Sequence, residues 1–280
     1  MARTEDPRLR EILTALATHL HAFVRETGLT EEEFREATRL LNTMGQQTTD
    51  THNEYVLMAG VLGVSSLVCL QNNGDGGTTE TTQSLLGPFW RMHSPPVEDG
   101  GSLLRCPTPG PRMDACLTFV DGQGRPVGGV EVDIWHANPV GLYENQDPRQ
   151  ADFNLRGTFT TQADGSLHFT SVRPVAYPVP TDTTVGRLLA AQDRHPYRPA
   201  HVHALAVKAG FRTLITQIYV DETEYLHSDV AFGVTEALIG RLERHEGPHP
   251  EAGGIGPWHS LDHTLVMEPG EPRLPIPPIK

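Results

Sequence analysis

Two histidines separated by one residue, His201 and His203, have the spacing of metal ligands on a β-strand. Side chains at positions i and i+2 of a strand point to the same side of the sheet, so both imidazoles can bind one metal ion. Pro199, just upstream, marks the start of this strand. Such a pair is also common in proteins that bind no metal, so it is weak evidence by itself and further ligands are needed.

The residues that follow the pair argue against one common kind of metal site. Sites that hold ferrous iron with two histidines and one carboxylate need a Glu or Asp near the pair. Residues 204–210 contain neither. The sequence therefore disfavours a ferrous site of this kind.

Two tyrosines, Tyr143 and Tyr177, are the alternative ligands, and both are expected in loops at strand ends, where sites are often assembled. A phenol has an ordinary pKa of about 10, but a Lewis-acidic ferric ion favours the phenolate, and this hard oxygen donor stabilises Fe(III) over Fe(II). Two tyrosines with two histidines therefore predict non-haem Fe(III). Tyr197 is a competing candidate close to the histidines, but it is expected to pack beside the site.

The elements that must position these residues begin with helices. Residues 8–28 carry apolar side chains at the spacing of one helix face, and Gly28 stands where a helix ends. Thr30 and Glu33 have the spacing of a capping box, which begins a second helix. The start of the chain is therefore predicted to be helical.

A third helix is expected from its cap at Asn53 to residue 70, and the Asn-, Gly- and Asp-rich run 72–77 predicts a loop after it. The longest apolar stretch, residues 55–70, is too short and too interrupted by Gly and Ser to span a bilayer, and the first residues lack the apolar core of a signal peptide. These features predict a soluble protein.

Strand signals replace helix signals after Pro88. Asp121-Gly122 and Asp164-Gly165 lie between apolar or alternating runs, which is typical of hairpin turns. The proline-rich tail, residues 268–280, is expected to be extended and packed along a surface. The predicted fold is mainly β, an antiparallel β-sandwich preceded by an α-helical region, with strands at 116–120, 130–135, 166–169, 201–208 and 214–220.

Composition excludes several classes of protein. The formal net charge of −13 disfavours binding to nucleic acid, because such a surface repels the phosphate backbone. The three cysteines, Cys69, Cys106 and Cys116, form no CxxC pair and indicate neither a disulfide framework nor a thiolate zinc site. A cytoplasmic location fits this cysteine usage.

Taken together, the motifs resemble those of the intradiol ring-cleaving dioxygenases, the family of catechol and hydroxyquinol 1,2-dioxygenases, and most of all its hydroxyquinol branch. The resemblance extends over nearly the whole chain. Its motifs are Leu86-Gly87-Pro88-Phe89, Val132-Asp133-Ile134-Trp135-His136-Ala137, Asn154-Leu155-Arg156-Gly157, Tyr177-Pro178-Val179-Pro180-Thr181-Asp182 and Arg198-Pro199-Ala200-His201-Val202-His203.

The resemblance implies a role for each residue at the site. It makes Tyr143, Tyr177, His201 and His203 the Fe(III) ligands, with Tyr177 and His203 as the axial pair, and it makes Tyr177 a base for a substrate proton. Arg198 and Gln217 match residues beside the substrate, where Arg198 stabilises developing negative charge and Gln217 orients it or the substrate.

The resemblance also implies the reaction and the partners. The substrates are O2 and an aromatic diol of hydroxyquinol or catechol type, and the product is a cis,cis-muconate derivative. Residues 1–100 are expected to form a helical region for dimerisation and a pocket lid, and residues 101–280 the β-sandwich catalytic domain with the ferric site. The protein is expected to be a homodimer, and the sequence leaves open whether a phospholipid lies at the helical dimer contact.

Two departures from the hydroxyquinol branch concern the substrate pocket. Gly60 stands where those enzymes usually carry an Asp facing the third hydroxyl, and Ala231 stands where a larger Val is usual. Both changes enlarge the pocket, and the first removes a hydrogen-bond acceptor, so we expect a broader or bulkier diol substrate. The predicted lining residues are Leu57, Gly60, Leu85, Leu86, Gly87 and Ala231.

Two other functions remain open at this point. The shared metal chemistry also allows cleavage of catechol, a substituted catechol or pyrogallol. A non-catalytic sandwich that binds aromatic compounds has the same fold without the iron chemistry.

Overall fold

Helices occupy the start of the chain in the computed structural model, which describes residues 3–73, 83–221, 224–250 and 256–278. Four helices come before the first strand, and a fifth, which the sequence analysis did not predict, lies between two short strands in the second half of the chain. Their bounds are α1 Pro7–Thr27, α2 Glu31–Gln47, α3 Glu54–Val61, α4 Val64–Asn73 and α5 Thr184–Ala191. The predicted loop at 72–77 lies largely outside the described residues.

Helix ends follow the predicted signals in the first two helices. Gly28 adopts the left-handed conformation (φ 62°) and ends α1. The backbone N–H of Thr30 donates to the Glu33 carboxylate (2.9 Å) and the N–H of Glu33 donates to the Thr30 hydroxyl (3.3 Å), which completes the capping box.

The chain up to Gln46 forms one compact unit and the chain from Gln47 onward forms a second.

The single third helix predicted from Asn53 to residue 70 is wrong. Asn53 caps α3 as expected, accepting the N–H of Val56 at 3.1 Å, but α3 ends at Val61. Gly63 has φ 73°, a left-handed conformation that an α-helix cannot contain, and α4 continues at an angle of 77° to α3. Among the described residues no single helix is long and apolar enough to cross a membrane; only this bent pair, taken together, meets that test of length and composition.

Eight strands form one sheet in the order β3-β2-β7-β8-β9-β10-β1-β4. The mainly β fold is confirmed, but the all-antiparallel arrangement is wrong, because β1 pairs with β10 and β8 with β9 in parallel. A short pair, β5 and β6, stands apart. The strands are β1 Arg112–Asp121, β2 Glu131–Trp135, β3 Arg156–Thr160, β4 Ser166–Val172, β5 Tyr177–Pro178, β6 Tyr197–Arg198, β7 His201–Val207, β8 Leu214–Val220, β9 Ile239–His245 and β10 Trp258–Met267.

A connecting segment, residues 95–103, brings the two edges of this sheet together. Val97 donates to Thr158 of edge strand β3 (2.9 Å), and Leu103 donates to Thr170 of edge strand β4 (3.0 Å). The edges therefore do not remain open, and the sheet is nearly closed around its core. Fully buried apolar side chains from both halves fill that core, including Leu117, Phe119, Ile134, Val202, Ile218, Leu261 and Leu265.

Neither of the two predicted turns joins a pair of adjacent strands. Asp121-Gly122 lies in a tight turn, where the backbone N–H of Asp121 donates to the Arg125 carbonyl (2.9 Å), but the strands before and after it, β1 and β2, are not neighbours in the sheet. The turn at Asp164-Gly165 links β3 and β4, but these strands lie at opposite edges of the sheet, so the hairpin predicted there is wrong. Residues 268–278 of the tail form no helix, and the backbone N–H of Arg273 donates to the Thr213 hydroxyl (2.9 Å).

Candidate metal centre and substrate cavity

A row of four side chains across adjacent strands forms the floor of the candidate site. Arg156 on β3 is paired with Trp135 on β2, Trp135 with His203 on β7, and His203 with Gln217 on β8. Residues paired in this way point to the same side of a sheet. The Trp135 ring stacks on the His203 imidazole with centroids 4.6 Å apart and planes 7° apart. This packing fixes the orientation of the imidazole.

The four predicted ligands meet above this row. The hydroxyl oxygens of Tyr143 and Tyr177 are 3.1 Å apart, and Tyr143 Oη is 3.1 Å from His203 Nε2. The Nε2 atoms of His201 and His203 are 3.2 Å apart. All four side chains are buried. The structure therefore brings two oxygen and two nitrogen donors to one point.

The histidine geometry fits a cation at that point. His201 Nδ1 lies 2.7 Å from the Pro199 carbonyl, which only accepts, so Nδ1 carries the hydrogen and Nε2 of the neutral ring keeps its lone pair. Burial lowers the pKa of His201 to about 3 and that of His203 well below its ordinary value. With both rings neutral, each Nε2 can offer a lone pair to a positive ion between them.

The tyrosines decide which kind of cation fits. Burial, together with the neighbouring Tyr177, raises the pKa of Tyr143 well above its ordinary value, and burial also raises the pKa of Tyr177. Two such phenols ionise only beside a strong Lewis acid, and phenolate oxygen is a hard donor. Within the described parts of the chain no group of three or more His, Cys, Asp or Glu side chains offers another metal site. The donor set suits Fe(III).

Arg198 lies beside the cluster in a dense hydrogen-bond network. Its Nε and Nη2 donate to the two oxygens of Asp229 (3.1 and 2.9 Å), and Nη2 also donates to Gln217 Oε1 and Tyr219 Oη, each at 2.8 Å. Nη1 lies 3.4 Å from His201 Nε2. The guanidinium is thus held rigidly with one edge toward the donor atoms.

Several of these residues were missed by the sequence analysis. Asp229 and Tyr219 stand in no recognised motif, and only the fold brings them to Arg198. Trp135 and Arg156 lie inside motifs, but no role was assigned to them. The competing candidate Tyr197 packs on Tyr225 with ring centroids 4.6 Å apart, and none of the contacts described for it involves the four donor residues.

A cavity of about 690 Å³ opens onto the cluster. Its described lining is largely apolar, and Arg198, already paired with Asp229, is the one charged residue in it. A neutral aromatic molecule suits such a cavity. The lining includes Tyr177, Arg198 and the six predicted pocket residues, Leu57, Gly60, Leu85, Leu86, Gly87 and Ala231.

Three small residues shape the cavity. Gly87 has φ 76°, and a Cβ there would lie 3.1 Å from His203 Cε1, so only glycine lets this segment pass so close to the cluster. Gly60 faces Ala231 across the wall, since a Cβ at Gly60 would lie 4.0 Å from the Ala231 Cβ with nothing closer. A Cβ at position 60 therefore fits without a clash.

Comparison with known proteins gives a consistent result. Residues 87–255 match the family described as "Dioxygenase", and residues 6–78 match "Catechol dioxygenase N terminus". The chain is 38% identical over 274 residues to hydroxyquinol 1,2-dioxygenase of Rhizobium sp. (strain MTP-10005), covering 95% of this chain and 91% of that protein. It is 35% identical to catechol 1,2-dioxygenase of Candida albicans, with coverage of 85% and 79%.

A solved structure shares the fold. The hydroxyquinol 1,2-dioxygenase from Pseudomonas putida DLL-E4 superposes with a TM-score of 0.85 and 36% sequence identity, and the match covers 96% of this chain and 94% of that one.

Replacing Asp229 by Asn tests the network around Arg198. The change leaves the buried guanidinium without its counter-charge, and breaking a buried ion pair in this way typically costs about 3–5 kcal/mol. We expect urea unfolding to show a loss of stability of this size. Asp152→Asn is the matched control, because Asp152 pairs with Arg91 at 2.8 Å but is 71% exposed; its loss should stay below about 1 kcal/mol. Equal losses for the two variants would contradict the assignment.

Proposed function

The chain belongs to the intradiol ring-cleaving dioxygenases, enzymes that use non-haem Fe(III) and O2 to cleave an aromatic diol between its hydroxyl groups, and from this premise we propose that the buried cluster of two tyrosines and two histidines is its ferric site. The observation that carries the proposal is that the four donor atoms are linked by three short contacts: Tyr177 Oη to Tyr143 Oη (3.1 Å), Tyr143 Oη to His203 Nε2 (3.1 Å) and His203 Nε2 to His201 Nε2 (3.2 Å). The residues that would hold the ion are Tyr143, Tyr177, His201 and His203.

The residues around the cluster supply the remaining chemistry. Fe(III) held by these four residues would supply Lewis acidity toward the diol. Tyr177 lines the cavity, so its phenolate oxygen can accept a proton from a substrate hydroxyl. Arg198 stabilises negative charge that develops on the substrate, because its charge is fixed beside the donor atoms before the substrate enters.

Gln217 is proposed to keep Arg198 and the cavity wall in place together. Its Oε1 accepts from Arg198, and its Nε2 donates to the Leu85 carbonyl at 2.8 Å. It also accepts a short hydrogen bond from Tyr219. A shift of the wall at Leu85 would therefore be transmitted to the guanidinium.

The buried cluster of two tyrosines and two histidines argues against the alternative, a non-catalytic module that binds aromatic compounds. A module without iron chemistry has no need to bury two phenols and two neutral imidazoles at one point, since their desolvation is costly. The enzyme interpretation accounts for this arrangement.

The substrate is proposed to be a neutral diol that is broader or bulkier than hydroxyquinol. Relatives act on hydroxyquinol and on catechol, so the family alone leaves both open, together with substituted catechols and pyrogallol. Gly60 and Ala231 face each other in the wall and leave room there. No acceptor for a third ring hydroxyl comes from either side chain, so discrimination between hydroxyquinol and catechol is expected to be weak.

The helical region, residues 1–100, is proposed to form a homodimer contact and a pocket lid, with residues 101–280 as the catalytic domain. Support for the lid comes from α3 and α4, which contribute Leu57, Val61 and Val64 to the cavity wall. Support for the dimer comes from α1, which exposes a continuous apolar face. A phospholipid whose acyl chains lie on this face is part of the same proposal. The face consists of Leu9, Ile12, Leu16, Leu20, Phe23 and Val24, each between 43% and 52% exposed.

Removing a histidine ligand tests the ferric site. Wild-type protein should carry about one Fe(III) per chain with a broad visible tyrosinate-to-iron absorption, and His201→Ala and His203→Ala should lose most of the iron. Tyr197→Phe is the control and should keep both the iron and the colour. Metal analysis and absorption spectra give the result, and iron loss in Tyr197→Phe would reverse the assignment of the tyrosines.

A carboxylate at position 60 tests the substrate proposal. Gly60→Asp should raise the ratio of kcat/KM for hydroxyquinol over catechol by about 10- to 100-fold, since a hydrogen bond to a charged acceptor is worth about 1.5–3 kcal/mol. Ala59→Asp, one residue earlier on α3 and outside the described cavity lining, is the control and should leave the ratio unchanged. If wild type already prefers hydroxyquinol by thousands-fold and Gly60→Asp does not increase that preference, another residue recognises the third hydroxyl.

Charges placed on the apolar face of α1 test the dimer. Leu16→Glu combined with Leu20→Glu should convert a dimer into monomers in analytical ultracentrifugation and should remove extractable lipid phosphate, because carboxylates cannot be buried unpaired in an apolar contact. Thr18→Glu, on the opposite face of the same helix, should change neither. A dimer that survives the double substitution would place the contact elsewhere, and a dimer without lipid phosphate would refute only the phospholipid.

A further inference from the structure

A buried ion pair lies behind one of the proposed iron ligands. Arg156 Nε donates to Glu144 Oε2 at 2.6 Å, and the two side chains are only 1% and 2% exposed. Glu144 is the residue that follows Tyr143. The Arg156 guanidinium carbon lies 5.8 Å from the centroid of the Tyr143 ring. A fixed positive charge therefore stands close to the phenol in a region without solvent.

The surrounding structure holds this pair in place. Arg156 on β3 is paired with Trp135 on β2, which is in turn paired with His203 on β7. Arg156 therefore stands at one end of the row of side chains under the donor cluster. Arg91 donates to the other oxygen of Glu144 at 2.9 Å and stacks on the Phe153 ring at 4.2 Å. The carboxylate is thus bound from two sides, which leaves Arg156 little freedom to move away from Tyr143.

Each of the two proposed tyrosine ligands has a buried, paired arginine nearby. Arg198, which is paired with Asp229, is the cross-strand neighbour of Tyr177, and the guanidinium carbon of Arg156, which is paired with Glu144, lies 5.8 Å from the Tyr143 ring centroid. The role of Arg198 follows from its position in the substrate cavity. Arg156 is absent from the described cavity lining and its guanidinium lies near the Tyr143 ring, so its action is assigned to the tyrosine.

We propose that Arg156, held by Glu144, is a positioning residue that fixes Tyr143 and withdraws negative charge from its phenolate, thereby setting how strongly this ligand donates to the iron. The inference rests on the proposed ferric site. A positive charge near a phenolate lowers the energy of its donor electrons, and the effect is large where water is excluded. Weaker donation leaves the metal ion more Lewis-acidic toward the diol.

Removing the Arg156 charge and removing the Glu144 charge shift the absorption wavelength and the reduction potential in opposite directions. Without the Arg156 charge, the donor electrons of Tyr143 rise in energy, so the tyrosinate-to-iron absorption moves to longer wavelength. Stronger donation also stabilises Fe(III) over Fe(II), so the reduction potential falls. Neutralising Glu144 unmasks the Arg156 charge and has the opposite effect on both quantities.

The experiment compares iron-loaded wild type with Arg156→Gln, Arg156→Lys and Glu144→Gln by iron content, visible absorption maximum and reduction potential. Arg156→Gln should shift the absorption to longer wavelength and lower the potential, while Arg156→Lys, which keeps the charge, should stay close to wild type. Arg149→Gln is the matched control, because Arg149 pairs with Asp147 in the segment after Tyr143 but is 79% exposed. It should leave the spectrum unchanged.

Failure of the ferric site and failure of the Arg156 role give different results in these measurements. A wild-type protein without iron or visible absorption would refute the ferric site itself. A normal wild-type spectrum that Arg156→Gln leaves unmoved, or that Arg156→Lys shifts as far as Arg156→Gln, would refute the role of the charge alone. If Arg156→Gln does not fold, Glu144→Gln decides: a shift to shorter wavelength supports the role, and an unmoved spectrum or the reverse shift overturns it.

Discussion

The pairing register of β3, β2, β7 and β8 is the constraint on which the site depends. It sets Arg156, Trp135, His203 and Gln217 side by side, and it points them away from the apolar core beneath. A slip of one residue in β7 would turn both histidines into the core and bring Val202 to the site. The core side chains of the same strands prevent that slip, because they would lose their burial. Stability and site geometry are therefore enforced by the same register.

Electrostatics above this row follow from the exclusion of water. The four donor side chains are buried, which keeps the imidazoles neutral and opposes ionisation of the phenols. A Lewis-acidic cation suits both kinds of donor, because it accepts the lone pairs of the neutral imidazoles and stabilises the tyrosines as phenolates. Two buried arginines flank the cluster, and each has its own carboxylate, Asp229 or Glu144. These pairs place positive charge near the donors without leaving an unpaired charge in the interior.

The cavity wall is attached to this centre by hydrogen bonds from several elements. Asp229, the partner of Arg198, also accepts the backbone N–H groups of Ala231 (3.1 Å) and Gly233 (2.9 Å). Ser66 of α4 donates to the Ala231 carbonyl at 2.8 Å. The cavity wall at Ala231 is thus hydrogen-bonded to the same carboxylate that holds Arg198. Under the proposed function, small substitutions at positions 60 and 231 would alter selectivity while the donor cluster stays unchanged.

The sequence by itself determined what depends on local chemistry. The spacing of His201 and His203, the choice of tyrosine as the other donor and the caps at Gly28, Thr30 and Asn53 are all properties of a few neighbouring residues. Motif resemblance supported Tyr143 and Tyr177 as the ligands and added Arg198 and Gln217 beside them. The mainly β character followed from alternating patterns, which report a half-buried strand whatever its partner.

The tertiary structure decided everything that depends on which strands meet. The residue pattern of a strand does not specify which strands pair with it. The parallel pairing of β1 with β10 and the separation of β3 from β4 could therefore not be predicted from the sequence. The break at Gly63 was hidden because a single glycine is compatible with a continuous helix until packing selects its left-handed conformation. The roles of Asp229 and Glu144 could be recognised only in the folded structure, where each pairs with a buried arginine. The role of a carboxylate depends on the charge it faces, and its place in the chain does not specify that charge.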